Sequence, residues 1–323
     1  MTWLSDSALE RLRAAAEAPD LGGTRYQLVS KLGQGGMGGV FQVEDQILER
    51  QVALKVLSIA DPEGTLSARL LQEARIIARL EHPGIVPVHD AGTLPDGRPY
   101  YTMKLVQGQR LDAHVVSVTT LTDRLRLFLR ICDPVAFAHA HGVLHRDLKP
   151  SNVMVGPFGE VLVMDWGLSK LLHDPQRHEK ASVAGDNPLM EPPADRTAHG
   201  TVLGTPGYMA PEQAEANALI DQRADIYSLG AILQFLLAGA VPVSRSLDAI
   251  RKQAMNVSPS SRFQTVQELA VDVQHFLDGV AVSAYPEGPL TRMWRWVRRN
   301  RAWILLLLVY IVVRALLIFF RPR

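Results

Sequence analysis

The order of the periodic segments is the feature that most restricts how this chain can fold. Its first part holds short runs rich in β-branched residues and separated by turn residues, as in an antiparallel meander, at 26–33, 39–45 and 51–58. A helical pattern at 65–80 and two more strand patterns at 85–92 and 99–106 complete this part. After Gly108 the pattern is mainly helical, at 122–142, 225–239 and 261–279. A β-rich part followed by a larger helical part predicts an α+β fold.

The net charge of +1 hides an acidic body and a basic tail. Eight arginines and no acidic residue occur in 292–323, which leaves a charge of −7 on the 291 residues before them. An acidic body argues against nucleic acid as the main partner. The chain has one cysteine, Cys132, so no internal disulfide can form and a reducing compartment is favoured. The first residues do not resemble a cleaved signal, and we expect them to stay in the cytoplasm.

Within the basic tail, residues 302–320 read AWILLLLVYIVVRALLIFF. As a helix this stretch would be ~29 Å long, close to the ~30 Å hydrocarbon core of a bilayer. Arg314 opposes insertion, but the surrounding aliphatic and aromatic residues outweigh one charge. Five arginines and two tryptophans precede the stretch, as expected at a cytoplasmic membrane edge. The sequence therefore predicts a single transmembrane helix in an inner membrane, and a buried or dimer-forming helix is the alternative.

A glycine-rich turn, a lysine and a glutamate occur along the β-rich part. Gly33, Gly35 and Gly38 have the spacing G-x-G-x-x-G between two predicted strands, a pattern that ordinary hairpin turns also show. Lys55 lies in the strand pattern VALKV, and Glu73 lies on the following helix. Strand-turn-strand order argues against a dinucleotide-binding unit. Taken together, backbone N–H groups, a strand lysine and a helix glutamate that orients it indicate a polyphosphate site.

The stretch VLHRDLKPSNVMV, residues 143–155, has polar side chains between two apolar strand patterns. Burying such side chains without partners costs much free energy. Asp147 is a carboxylate that could orient and deprotonate a hydroxyl nucleophile, and Asn152 is a candidate metal ligand. Asp165 lies at the end of the strand pattern EVLVMDWG and offers a second carboxylate for Mg²⁺. These residue types indicate phosphoryl-transfer chemistry.

These motifs, with HRDLKPSN, DWG and GTPGYMAPE, have the order and spacing of the eukaryotic-like (Hanks-type) protein kinase family over about 26–279. The chain most resembles bacterial membrane-anchored serine/threonine kinases. The resemblance implies a two-lobed protein-kinase-like fold, with a small β-rich N-lobe and a larger helical C-lobe. It also implies ATP and Mg²⁺ as cofactors and proteins with Ser or Thr as substrates.

The resemblance also implies a role for each matching residue. Lys55, paired to Glu73, would hold the α- and β-phosphates, and Asn152 and Asp165 would hold Mg²⁺. Asp147 would be the catalytic base. Lys149 would contact the γ-phosphate, with Thr205 hydrogen-bonded near Asp147 and Lys149. The implied nucleotide-binding residues are Gly33, Gly35, Gly38, Val40, Ala53, Lys55, the gatekeeper Met103, and the hinge Lys104, Leu105 and Val106.

Further matches concern support and regulation. Glu212 would pair with Arg262, and Asp225 would brace the catalytic loop from below. Arg146 directly precedes Asp147, which resembles kinases switched on by phosphorylation of the activation segment. That segment, from Asp165 to Glu212, spans 48 residues. The candidate autophosphorylation sites in it are Thr197, Thr201 and Ser182.

Two features of the sequence depart from the usual pattern of the family, and two alternative functions stay open. Trp166 stands where the family more often has Phe, and the connection AVPVSRS after Gly239 is short, which predicts altered docking of protein substrates. A pseudokinase scaffold that binds nucleotide or partners without phosphotransfer is the main alternative function. A small-molecule phosphotransferase is disfavoured by GTPGYMAPE, which resembles a peptide-docking platform. A homodimer formed by the membrane helix is a further hypothesis.

The sequence predicts six segments. They are an N-terminal helical extension (1–25), the N-lobe (26–107), the C-lobe (108–279), a basic juxtamembrane linker (280–301), the transmembrane helix (302–320) and a short tail (321–323).

Overall fold

The computed structural model describes residues 18–34, 38–57, 61, 64–166, 170–171, 207–215, 220–238, 243–286, 288 and 300–319. Several predictions lie outside these residues: the helix of the N-terminal extension, Gly35, Thr205, and the candidate phosphorylation sites Ser182, Thr197 and Thr201.

The β-rich part folds as one five-stranded antiparallel sheet in the order β1-β2-β3-β5-β4. Its strands are β1 (Tyr26–Gln34), β2 (Gly38–Asp45), β3 (Arg50–Leu57), β4 (Val88–Thr93) and β5 (Pro99–Lys104). One face buries a core that includes Phe41, Val43, Val52 and Leu54. The five predicted strands are present, and in β2 every second side chain from Phe41 to Asp45 is buried, as alternation of apolar residues predicts.

Helix α1 (Thr65–Ala78) crosses from β3 to β4 and contacts both parts of the molecule. It begins after Gly64, which has a positive φ of 71°. Leu70 and Ala74 pack with residues of the sheet. Ile76 and Ile77, one turn further, belong to the core of the helical part. The helix therefore joins a small core on the second face of the sheet to the core of the helical part.

The helical part is built on α3 (Leu121–Ala140), α5 (Arg223–Leu237), α6 (Arg245–Ala254) and α7 (Val266–Leu277). Two short helices are α2 (Leu111–His114) and α4 (Pro211–Ala214). A three-stranded sheet joins β6 (Gln109–Arg110), β8 (Val153–Val155) and β9 (Val161–Val163), and β7 (Val143–Leu144) pairs with β10 (Lys170–Leu171). The predicted order of a small β-rich lobe and a larger helical lobe is confirmed.

A close backbone contact joins the lobes beside α1. The Gly84 carbonyl accepts a hydrogen bond from the Val163 N–H at 2.8 Å, and Ile85 forms a parallel bridge with Val163. A Cβ added at Gly84 would lie 2.9 Å from the Pro134 ring. Glycine at this position therefore lets the chain approach α3, which continues through Pro134.

Helix α8 (Arg301–Phe319) is the last element described. Its apolar side chains from Leu305 to Val313 are exposed. Within the residues that the structure describes, no helix combines the length and the apolar character that crossing a membrane requires. The transmembrane helix predicted at 302–320 is therefore not confirmed, and Arg301 and Arg314 place two charges within α8.

Candidate functional site

The first part of the site is a lysine and glutamate pair between the sheet and α1. Lys55 Nζ, from β3, donates to Glu73 Oε1 at 2.7 Å and to Asp165 Oδ1 at 3.3 Å. Glu73 is buried. Burial disfavours the charged form of Lys55, but attraction to the Tyr101 oxygen and to both carboxylates outweighs it and raises the lysine pKa. The lysine is therefore held as a cation that faces the second lobe.

The β8–β9 hairpin brings Asn152 and Asp165 to the same end. Val153 pairs with Val163, so the residue before β8 lies opposite the residues after β9. The Met164 N–H donates to the Asn152 carbonyl at 2.8 Å. Asp165 follows with a positive φ of 60°. Burial acts to raise the Asp165 pKa, but Lys55 outweighs it and holds that pKa below its usual value.

Asp147 lies in the predicted catalytic loop, residues 145–152, between β7 and β8. Its Oδ2 accepts hydrogen bonds from Lys149 Nζ at 2.8 Å and from Asn152 Nδ2 at 3.2 Å. Asn152 Nδ2 also donates to the Asp147 carbonyl at 2.7 Å. The structure thus brings together three of the residues that the sequence singled out, with a carboxylate at their centre.

A fully buried carboxylate supports this loop from α5. Asp225 accepts hydrogen bonds from the backbone N–H groups of His145 and Arg146, each at 2.8 Å, and contacts His139 Nε2 at 2.7 Å. Arg146 has a positive φ of 68°, a strained conformation that these bonds hold in place. The predicted bracing by Asp225 is confirmed. Sequence reasoning missed His139, which was read only as part of a helix.

The predicted nucleotide-binding residues of the sheet share one face. Val40 pairs with Lys55 across β2 and β3, and Ala53 pairs with Met103 across β3 and β5. Because side chains alternate along a strand, Val40, Ala53, Lys55 and Met103 all point to the side on which Lys55 reaches Asp165. The hinge residues Lys104, Leu105 and Val106 follow Met103 directly, and the Lys104 N–H is bonded to the Pro87 carbonyl.

The two described glycines beside the turn between β1 and β2 differ in whether the structure leaves room for a side chain. A Cβ added at Gly38 would collide with the Val56 carbonyl of β3, so only glycine allows this close approach. A Cβ at Gly33 would meet no atom within 4 Å. Gly38 is therefore required by packing, whereas Gly33 is not.

The segment around Glu212 is tied to the helical lobe in two ways. Glu212 forms a two-pronged ion pair with Arg262, at 2.6 and 2.7 Å, as predicted. The Gln213 side-chain amide donates to the Arg146 carbonyl at 2.9 Å. The second contact was missed by the sequence reasoning, which treated the segment and the catalytic loop separately.

Trp166 is buried beside the catalytic loop. Its ring lies 4.6 Å from the His145 ring, and its indole N–H donates to the Val163 carbonyl at 3.2 Å. The larger side chain is thus accommodated with its polar atom paired.

The donor set for a cation is small but chemically suitable. Asn152 uses its amide nitrogen for Asp147, which leaves its carbonyl oxygen available, and the Asp165 side chain is about half exposed. No cluster of three or more His, Cys, Asp or Glu side chains that could hold a metal exists among the described residues. Two oxygen ligands fit Mg²⁺, which commonly binds one or two carboxylates together with substrate phosphates.

Comparison with known proteins gives one consistent family. A model described as protein kinase domain matches residues 26–285. The serine/threonine-protein kinase PknD of Protochlamydia amoebophila (strain UWE25) is 34% identical over 301 residues, covering 79% of this chain and 30% of that protein. The DNA damage-responsive serine/threonine-protein kinase RqkA of Deinococcus radiodurans is 39% identical over 226 residues, covering 68% of this chain and 30% of that protein.

A solved structure agrees with these sequence matches. The crystal structure of the M. tuberculosis PknI kinase domain matches with a TM-score of 0.57 and 28% identity, covering 79% of this chain and 96% of that one. The chain spans about 30% of the length of the curated relatives that it matches.

Proposed function

Because this chain belongs to the protein kinase family, we propose that it transfers the γ-phosphate of ATP to Ser and Thr hydroxyls of proteins. The observation that carries the proposal is the pairing of Lys55 with both Glu73 and Asp165, beside the cluster of Asp147, Lys149 and Asn152. The cation that binds phosphates, the carboxylate that accepts a proton and the carboxylate that binds Mg²⁺ in phosphoryl transfer are then all present and close together.

In the proposed reaction, Lys55 binds the α- and β-phosphates, and its raised pKa keeps it cationic. The acceptor hydroxyl oxygen forms a bond to the γ-phosphorus, while the bond to the oxygen that bridges the β- and γ-phosphorus breaks and releases ADP. The hydroxyl proton passes to Asp147, whose Oδ1 receives no hydrogen bond within the described part of the chain. Lys149, 2.8 Å from Oδ2, is placed to stabilise the phosphate oxygens.

Asn152 and Asp165 would hold Mg²⁺ on their oxygen atoms. When bound, this ion neutralises negative charge on the phosphates. The low pKa of Asp165 suits this role, because the carboxylate stays ionised at neutral pH.

We also propose that phosphorylation of the segment between Asp165 and Glu212 regulates the enzyme, with Thr197, Thr201 and Ser182 as candidate sites. Arg146 supports this proposal, because its Nε is buried and has no hydrogen-bond partner among the described residues. Burial lowers the pKa of Arg146 by more than attraction to Asp225 raises it, so an incoming phosphate would further stabilise its charged form.

The experiment is intact-mass measurement of the full chain after incubation with Mg²⁺ and ATP, beside Asp165→Asn and Asp147→Asn. We expect phosphate additions in the wild type and none in the two variants. Fragment masses then identify the modified residue. If wild-type protein gains no phosphate and modifies no protein substrate, the scaffold function replaces this proposal.

For location, we propose that α8 attaches the chain to the cytoplasmic face of the inner membrane. The exposed apolar side chains of Leu305–Val313 and the five arginines between 292 and 301 support this. Cell fractionation with and without residues 291–323 tests it, and carbonate washing separates an inserted helix from a surface-bound one. Recovery of the full chain in the aqueous fraction as a dimer would favour helix pairing between two copies instead.

A further inference from the structure

A tyrosine lies directly behind the lysine and glutamate pair. Tyr101 is the β5 residue that pairs with Lys55 of β3, so both side chains lie on the same face of the sheet, toward α1. The Tyr101 side chain is 1% exposed and packs with Leu57, Leu70 and Ala74. A phenol in such a place needs a partner for its hydroxyl.

That partner is Glu73. The Tyr101 hydroxyl donates to Glu73 Oε1 at 2.8 Å, and the same oxygen accepts from Lys55 Nζ at 2.7 Å. Glu73 Oε2 is buried and has no hydrogen-bond partner among the described residues. One carboxylate oxygen of α1 is therefore fixed from two strands, by a charged donor on β3 and a neutral donor on β5.

We propose that Tyr101 is a positioning residue, which holds Glu73 and, through it, Lys55 in the geometry that binds the phosphates of ATP. This inference rests on the proposed function. When the Lys55 ammonium also donates to phosphate oxygens, its hydrogen bond to Glu73 weakens. The hydrogen bond from Tyr101 then keeps the Glu73 carboxylate in place. Burial raises the Tyr101 pKa, so the hydroxyl is protonated at neutral pH and can donate to Glu73.

The opposing explanation is a core aromatic residue whose hydroxyl contributes only to stability. The two explanations differ in which part of the nucleotide is affected. Lys55 contacts phosphates and not the base, so a positioning role affects ADP and leaves adenosine binding unchanged. A general weakening of the sheet would affect both ligands.

The chain offers a matched control in the adjacent residue. Tyr100 is also buried, but it lies on the opposite face of β5, where its ring meets Tyr26 edge-on at 6.0 Å. Tyr100→Phe and Tyr101→Phe remove the same atom from neighbouring positions. Phenylalanine fills nearly the same volume in both cases, so both variants are expected to fold.

The experiment measures dissociation constants of Mg·ADP and adenosine, and kcat and KM for ATP, on the full chain. We expect Tyr101→Phe to weaken ADP binding and to lower kcat/KM for ATP by about tenfold each, the effect of losing one hydrogen bond to a buried charge. Adenosine binding by Tyr101→Phe and both affinities of Tyr100→Phe should stay at wild-type values. In a Glu73→Ala background, Tyr101→Phe should have no further effect on ADP.

Unchanged ADP affinity in Tyr101→Phe would overturn the inference, as would an equal loss of ADP and adenosine affinity, or a full effect without Glu73. A wild-type chain that transfers no phosphate would contradict the proposed function, whereas the comparison of ADP with adenosine would still decide the role of Tyr101.

Discussion

Arg262 allows a stability prediction to be worked out donor by donor. Its side chain is fully buried and uses all five N–H donors. Nη1 and Nη2 each bond one Glu212 oxygen, and the remaining donations reach the carbonyls of Asn256, Arg223 and Val257. Arg262→Lys keeps the charge but offers three donors in a different geometry, so at least two acceptors lose their partner.

The magnitude follows from these counts. Each buried polar group left without a partner costs about 1–3 kcal/mol. With two acceptors left unpaired at ~1 kcal/mol or more each, we expect Arg262→Lys to lower the free energy of unfolding by at least ~2 kcal/mol. For a domain of this size that lowers Tm by roughly 4–8 °C or more.

Thermal and urea unfolding of the full chain check this value, with Lys252→Gln as the matched control. Lys252 pairs with Asp248 at 2.8 Å, but its side chain is 69% exposed. Its replacement should change stability by no more than about 0.5 kcal/mol. If Arg262→Lys melted within about 2 °C of the wild type, the argument from donor satisfaction would be wrong.

Three further predictions concern other buried groups. Trp166→Phe should lower stability by about 1 kcal/mol through loss of its bond to the Val163 carbonyl while phosphate transfer persists, and an unchanged Tm would count against this. Asp272 accepts three hydrogen bonds from Ser283 and Ala284, so Asp272→Asn should speed limited proteolysis at 279–286; wild-type digestion rates would contradict it. Burial acts to raise the pKa of Asp225, but the His139 contact outweighs it and holds that pKa below its ordinary value. The stability from Asp225 is therefore present above about pH 4, the unfolded-state value, and is lost as pH falls through the lower folded-state pKa. The Tm difference between wild type and Asp225→Asn should narrow below that pH, and a constant difference would refute the assignment.

The sequence predicted elements whose period matched one buried face, such as β3 and α3, and residues whose chemistry follows from a local motif, such as Asp147 and Asn152. It did not predict that Tyr101 contacts Glu73, that His139 contacts Asp225, or that Gln213 contacts the Arg146 carbonyl. Each of these side chains acts across a large sequence separation, on a group that only the folded chain brings near. A tyrosine in a strand or a histidine in a helix has no local sequence signal that separates a core position from a bond to a buried carboxylate.

Because α1 packs in two cores, a tilt of this helix moves its two ends by different distances. Ile77 is fixed in the helical lobe, Glu73 lies ~6 Å from it along the axis, and the first residue, Thr65, lies ~18 Å away. A tilt about the fixed end therefore moves Thr65 about three times as far as Glu73. A force applied at the Thr65 end, by a partner or by the chain before Gly64, is therefore multiplied about threefold at the carboxylate that Lys55 and Tyr101 share.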